Sequence, residues 1–194
     1  MKKLNSLAAG AFSLLVCVSS VQAAATMSFQ QVGADVVGTL SGSLDLTGMT
    51  KSPGYVSQGD GFVLPEFGYF STGAKLSLQD GYFDQMSGPS SWGPGVGGTL
   101  ADISSGDAVY FAGAANDFWL PKGYASGDAL SATLTFLLTD FAALGAISGN
   151  YIYTLTSGDT LTVNIGSAVP EPGSLALFGA GLSLLGMWTR RRRG

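Results

Sequence analysis

A chain of 194 residues with no histidine, one cysteine and 13 acidic against nine basic side chains lacks the parts for a Ser-His-Asp or Cys-His device. Its cations lie mostly at the two ends. Between residues 26 and 168 there are three lysines (Lys51, Lys75, Lys122), no arginine and 12 carboxylates, a net charge of −9 that excludes phosphate-reading partners such as nucleic acid and suits a soluble body, calcium or a hydrated polysaccharide matrix.

Residues 1–23 read as a secretory signal peptide. Lys2 and Lys3 form a basic start, residues 7–18 an apolar core, and Val21-Gln22-Ala23 places small residues where cleavage occurs, with cleavage assigned to Ala23. Residues 23–25, all alanine, offer an alternative cut. A second membrane-spanning helix is the competing reading, but Gly10 and Ser13 interrupt the run and no stop-transfer charges follow. Cys17 leaves with the leader, so the exported body is expected to have no thiol and no disulfide.

Residues 24–168 are long enough for one domain with its own core. Residues 35–47 alternate, with Val36, Leu40, Leu44 and Leu46 on one face and Val37, Thr39, Ser41, Ser43 and Asp45 on the other. That period of two is a half-buried strand. It returns from Leu130 to Leu138, again at Tyr151, Tyr153 and Leu155, and again at Leu161, Val163 and Ile165. Ser157-Gly158-Asp159 between the last two runs predicts a hairpin turn. Shorter runs at 61–64, 67–70, 75–78 and 109–112 predict further strands, and residues 139–144 a helical turn. The expectation is a mainly β protein, an antiparallel sandwich or barrel-like domain, flanked by the signal helix and a C-terminal transmembrane helix. Residues 87–98 and 120–127 are Gly/Pro/Ser-rich and predict loops, the first a long excursion at one end of the sandwich.

Few motifs in this body carry chemistry. Residues 93–98 fit a G-x-G-x-x-G string, but Pro94 interrupts the turn and no helix opens after it, so a dinucleotide loop is not expected. Lys51-Ser52 is the only neighbouring Ser–Lys pair, and an exposed turn lysine explains it as well. Asp80 with Asp84, or Asp102 with Asp107, supply paired carboxylates for glycosidase chemistry if they face each other across a cleft. Residues 102–107 also offer oxygen ligands for calcium, without the EF-hand spacing. Trp92, Phe118, Trp119 and Tyr124 are candidates for a sugar-binding platform or for core aromatics. No catalytic, cofactor-binding or metal-ligating residue is assigned, and no cofactor is expected.

The last 26 residues are the most informative. Pro170 and Pro172 bias Val169 and Glu171 towards extended backbone and present Glu171 on a stiff strap. Residues 173–189 are an uncharged apolar run of 17 residues, about 25 Å as a helix and at the short end of what spans a bilayer. Arg190, Arg191, Arg192 and Arg193 follow it directly and are retained on the cytoplasmic side. A plain single-pass anchor would not need the Pro-Glu-Pro bracket.

Residues 169–194, taken as Val169-Pro170-Glu171-Pro172, then the short apolar run, then the arginines, resemble the PEP-CTERM sorting signal of bacterial envelope proteins. The resemblance implies processing by exosortase, a membrane-embedded cysteine transpeptidase-like enzyme associated with exopolysaccharide loci. It makes Val169, Pro170, Glu171 and Pro172 the recognition motif and Arg190 to Arg193 the stop signal. Expected partners are exosortase, a Sec-type export machinery, the inner membrane and exopolysaccharide. The chain is expected to be anchored transiently in the inner membrane and then to reach the outer envelope or the extracellular matrix. Its body is read as a non-enzymatic structural or adhesive cargo, with a carbohydrate-binding or carbohydrate-active protein as the alternative.

Overall fold

A computed structural model describes residues 24–56, 60–74 and 76–166. The leader with Ala23, the sorting motif Val169 to Pro172, the apolar run and Arg190 to Arg193 lie outside the described residues, and so do both expected flanking helices. In chain order the strands are β1 (Ala24–Val32), β2 (Asp35–Ser43), β3 (Ser52–Val56), β4 (Phe62–Leu64), β5 (Tyr69–Ser71), β6 (Leu78–Tyr82) and β7 (Met86–Ser87). They continue with β8 (Thr99–Leu100), β9 (Ile103–Gly106), β10 (Tyr110–Ala112), β11 (Asp117–Pro121), β12 (Ala129–Phe136), β13 (Gly149–Leu155) and β14 (Thr160–Ile165). One short helix, α1 (Phe141–Leu144), links β12 to β13. Among the described residues no helix is long and apolar enough to cross a membrane.

Two seven-stranded sheets face each other. The first has the order β7-β13-β14-β1-β2-β12-β9 and the second β3-β6-β11-β10-β5-β4-β8. The alternation seen in the sequence decides which side chains meet between them. Val36 and Leu40 of β2, Leu130, Ala132, Leu134 and Phe136 of β12, and Leu161, Val163 and Ile165 of β14 are all buried. Burying each large apolar side chain contributes roughly 1.5–3 kcal/mol. From the second sheet Phe70, Phe111, Phe118 and Tyr82 complete the core, with Phe70 and Phe111 stacked at 5.4 Å and Tyr82 and Phe118 at 4.9 Å.

Three expectations need correction. The first sheet is mixed, not antiparallel, because β1 lies parallel to β14, from Ala24 opposite Thr160 to Phe29 opposite Ile165. The first strand already pairs antiparallel with β2 through a tight turn, so its other edge is filled by the last strand, whose direction is set by its own hairpin with β13. Second, Leu138 does not continue the inward row of β12. The strand ends at Phe136, and Leu138 adopts a left-handed backbone with φ 50° and is 86% exposed. Third, the 75–78 run shifts, because Leu76 is left-handed (φ 63°) and the paired strand begins only at Leu78.

The glycine-rich stretch 87–98 is the expected loop, without helix or strand from residue 88 to 98. It crosses from β7 in the first sheet to β8 in the second and drives Trp92 into the core, where its Nε1 donates to the Tyr153 hydroxyl at 2.6 Å. Gly93 and Gly95 approach the backbone at the end of α1 so closely that added Cβ atoms would stand 2.3 Å from the Gly145 carbonyl oxygen and 2.1 Å from that of Leu144. The G-x-G-x-x-G string therefore records backbone packing, not a phosphate cradle.

The second sheet contains a repeated device. β4 and β5 are joined by a 3-10 turn that ends on left-handed Gly68 (φ 62°), and β10 and β11 by one that ends on left-handed Asn116 (φ 59°). In each the N–H of the left-handed residue bonds back to the first carbonyl of the turn, Pro65 or Gly113. Asn is the non-glycine residue that accepts this conformation most readily. Because β5 pairs with β10, the two hairpins lie side by side and in matching phase.

Candidate functional site

Matching phase gives the second sheet an aromatic outer face. Along β4, β5, β10 and β11 the inward residues are Val63, Phe70, Phe111 and Phe118, and the residues beside them point the other way as Phe62, Tyr69, Tyr110 and Trp119. Tyr69 touches Phe67 at 5.7 Å and Tyr110 at 6.0 Å, Tyr110 touches Phe62 at 5.8 Å and Trp119 at 4.7 Å, and Trp119 touches Phe83 at 5.4 Å. Four adjacent strands, β4, β5, β10 and β11, thus carry one continuous band of rings, which Phe67 in the 3-10 turn and Phe83 just after β6 extend at its two ends.

The band has relief. Trp119 meets Tyr110 at 83° and Phe83 at 85°, so both neighbours stand perpendicular to the indole. Gly81, opposite Trp119 on β6, has no side chain, and a Cβ there would stand 2.8 Å from the indole nitrogen and 3.1 Å from the tip of Phe83. The missing side chain is what lets the indole lie over the neighbouring strand. Phe67 and Phe83, at the two ends, are exposed, and the four rings between them are half-buried. Burial, with smaller effects from Tyr69 and Asp117, pushes the Tyr110 hydroxyl up to about 12, so it stays protonated as a donor at any physiological pH. Apolar ring faces with a few hydroxyl donors are the chemistry that packs on the C–H faces of sugar rings.

Of the four aromatics singled out in the sequence, Trp119 belongs to this band. Trp92 and Phe118 are core residues, and the Tyr124 hydroxyl accepts the Leu44 N–H at 2.8 Å and donates to the Asp128 carbonyl at 2.6 Å. Tyr110, Tyr69, Phe62 and Phe83 were missed. The available signal was an aromatic at both parities of one short strand, as in Tyr69-Phe70 and Tyr110-Phe111.

The paired carboxylates are not brought together. Asp102 and Asp107 flank β9, and each caps the backbone of β12, Asp102 Oδ2 accepting the Leu137 N–H and Asp107 Oδ2 the Ser131 N–H, both at 2.8 Å. Five residues of extended chain separate them by roughly 16 Å, beyond the ~9.5 Å limit of a glycosidase pair. Asp80 lies on β6, whereas Asp84 follows the end of that strand on a left-handed bend (φ 53°) with its N–H donated to Asp117 Oδ1 at 2.8 Å. Among the described residues no group of three His, Cys, Asp or Glu is arranged to hold a metal ion.

Asp80 has a structural partner instead. Its side chain is buried beneath Lys51, whose Nζ lies 3.3 Å from Oδ2, and the same oxygen accepts the Gly123 N–H at 2.9 Å. The Gly123 bond, more than the Lys51 charge, holds this carboxyl below its ordinary value against the opposing effect of burial. Lys51 is therefore an ion-pair residue, not the base of a Ser–Lys device. Asp159 is buried and accepts the Asp45 N–H at 2.6 Å and the Thr160 N–H at 2.7 Å, which locks the β13–β14 turn to the end of β2.

The opposite face of the molecule differs. The outer side of the first sheet is a grid of small polar groups, in which Asn164, Ser28, Thr39, Thr133 and Ser105 lie in register across five strands, with the Ser105 and Thr133 hydroxyls 2.8 Å apart.

The described body ends at Gly166, and residues 168–193 match the family model of the PEP-CTERM protein-sorting motif. The chain carries a PEP-CTERM sorting signal. The motif marks an exported protein that transits the membrane and is processed by exosortase. No curated protein and no solved structure matches the chain. The sorting signal thus identifies how the protein is handled, and the aromatic band is the site on which a role for its body rests.

Proposed function

We propose that the body is a non-enzymatic, adhesive component of the extracellular matrix that holds polysaccharide on the aromatic outer face of its second sheet. The observation that carries the reading is the band from Phe67 to Phe83, in which rings on four adjacent strands and at their two flanks line one outer face. An apolar band of this kind on an otherwise acidic, exported protein favours a neutral, ring-shaped ligand over an anion. The non-enzymatic part is supported by carboxylates that serve as backbone caps and stand apart, and by the flat hydroxyl grid of the first sheet. Export through a Sec-type machinery, transient anchoring by residues 173–189, cleavage at or near Val169 to Pro172 and delivery to the outer envelope or matrix complete the reading.

Retention of the protein in gels containing exopolysaccharide tests it. Trp119→Ala is expected to weaken retention about tenfold, or 1.4 kcal/mol, while the folded spectrum is kept. Equal retention of a folded Trp119→Ala protein would remove the aromatic face from the function.

A further inference from the structure

We propose that the end of the sandwich from which the chain leaves for its sorting signal is built to rest on a neutral lipid surface. The inference depends on the sorting signal and is independent of the polysaccharide reading. The parallel pairing of β1 with β14 brings the exit point Gly166 to the end of the first sheet where β1 also finishes, and the Gly166 N–H is tied there to the Phe29 carbonyl at 2.9 Å. In the order β13-β14-β1-β2-β12, that end carries Ile147 just before β13, Val32 at the end of β1, and Leu137 and Leu138 just after β12. These four are 58%, 55%, 45% and 86% exposed, and the chain leaves between the first two.

The outward leucines are held there by the fold. Leu137 and Leu138 donate their N–H groups to Asp102 and Asp35 at 2.8 and 2.9 Å, and Leu138 is kept in a left-handed conformation that a leucine rarely adopts. A bulky apolar side chain placed in water by a strained backbone points to a surface that covers it. The carboxylates at this end, Asp35, Asp102 and Asp140, all accept backbone N–H groups. The described lysines, Lys51 and Lys122, stand away from this row, beside Asp80 and β6, so no described cation here favours an anionic partner. A shallow recess lined by Phe29, Trp92, Phe141, Leu144 and Ile165 opens beside it.

The length of the following chain says what lies opposite. Six residues separate Gly166 from the apolar run that starts at Gly173, a tether of at most about 25 Å fully stretched, no longer than the ~27 Å of a nine-residue strand such as β1. While that run sits in the bilayer, the exit end is the one held next to lipid, and the tether raises the effective concentration of an otherwise weak contact.

The test uses the full chain with Cys17→Ser, reconstituted in phosphatidylcholine vesicles and labelled with a polarity-sensitive fluorophore at a single new cysteine. Leu138→Cys and Ile147→Cys report on the exit end from two separate segments, and Ser126→Cys on the opposite end. Labels at 138 and 147 are expected to be quenched several-fold more strongly by brominated lipid than the label at 126, and to be shielded from aqueous iodide. Added phosphatidylglycerol is expected to reduce that difference, because the body carries a net charge of −9. Equal quenching at all three positions overturns the proposal. Shielding from iodide without quenching by brominated lipid also overturns it, and assigns the surface to the protein's own tail, a second copy or the sorting enzyme. All three sites are exposed; Leu138→Cys and Ile147→Cys are expected to keep the unmodified thermal midpoint, and Ser126→Cys to lower it slightly, because its hydroxyl accepts the Leu46 N–H and donates to Asp45. If one exit-end variant fails to fold, the other still decides the outcome.

Discussion

The two sheets bury different rows against each other, largely aliphatic on the first and largely aromatic on the second, and they also turn different faces outward. The first is made largely of long strands, nine residues in β1 and β2 and eight in β12, with Ser, Thr and Asn outside. The second is made of strands of two to five residues, and its outer face is aromatic. A long alternating strand satisfies its backbone and its core face without help, so its outer positions can stay small and polar. Short strands gain little from pairing alone, and the rings that cross them in a band supply cohesion on both sides, at roughly 0.5–1.5 kcal/mol per pair beyond burial. The same rings leave that face available to an apolar ligand.

Breaking what the sheets share has the largest expected effect. Trp92 packs against Phe29 of the first sheet and Phe70 of the second, and Trp92→Ala is expected to cost about 3–5 kcal/mol by denaturant unfolding. If the cost were below 1 kcal/mol, the stretch 87–98 would be a surface loop after all. Gly95→Ala comes next, at about 1–3 kcal/mol, because its Cβ meets the Leu144 carbonyl. Gly97→Ala, with open space around it, is expected to cost only the strain of a φ of 84°, of order 1 kcal/mol.

The Asp80–Lys51 pair separates the sheets by pH. The carboxyl of Asp80 on β6 is lowered from 3.8, so its stabilisation is fully present above that value and disappears as pH falls through the folded-state value below it. The thermal midpoint is expected to fall more steeply below pH 4 in the unmodified protein than in Asp80→Asn, and parallel curves would show that the pair does not matter. The smallest effect belongs to the hydroxyl grid. Thr133→Val on β12 is expected to change stability by less than about 0.5 kcal/mol and to leave polysaccharide retention unchanged, whereas Trp119→Ala on the other sheet is expected to remove most of it.

Legibility followed strand length. The rows in β2, β12, β13 and β14 could be read because five or more alternating positions leave no other period. β1 was missed although Ala25, Met27 and Phe29 alternate and are buried, because those residues follow directly on an apolar leader whose own pattern hides the change. The short strands of the second sheet were found only as runs, and three residues do not say which side chain faces in. Of the candidate site, Trp119 was visible as an aromatic near a turn, but Tyr69, Tyr110 and Phe83 join it only through pairing between strands distant in sequence.

The sequence by itself determined the acidic body, the alternating rows of its long strands and the sorting signal, because these depend on composition, a period of two and a contiguous motif. The tertiary structure decided that the first and last strands run parallel, that Trp92 fills the core while Trp119 faces out, and that the exit end carries exposed leucines. Each of those depends on which strands become neighbours, and neighbours in a sheet are chosen by burial over the whole chain.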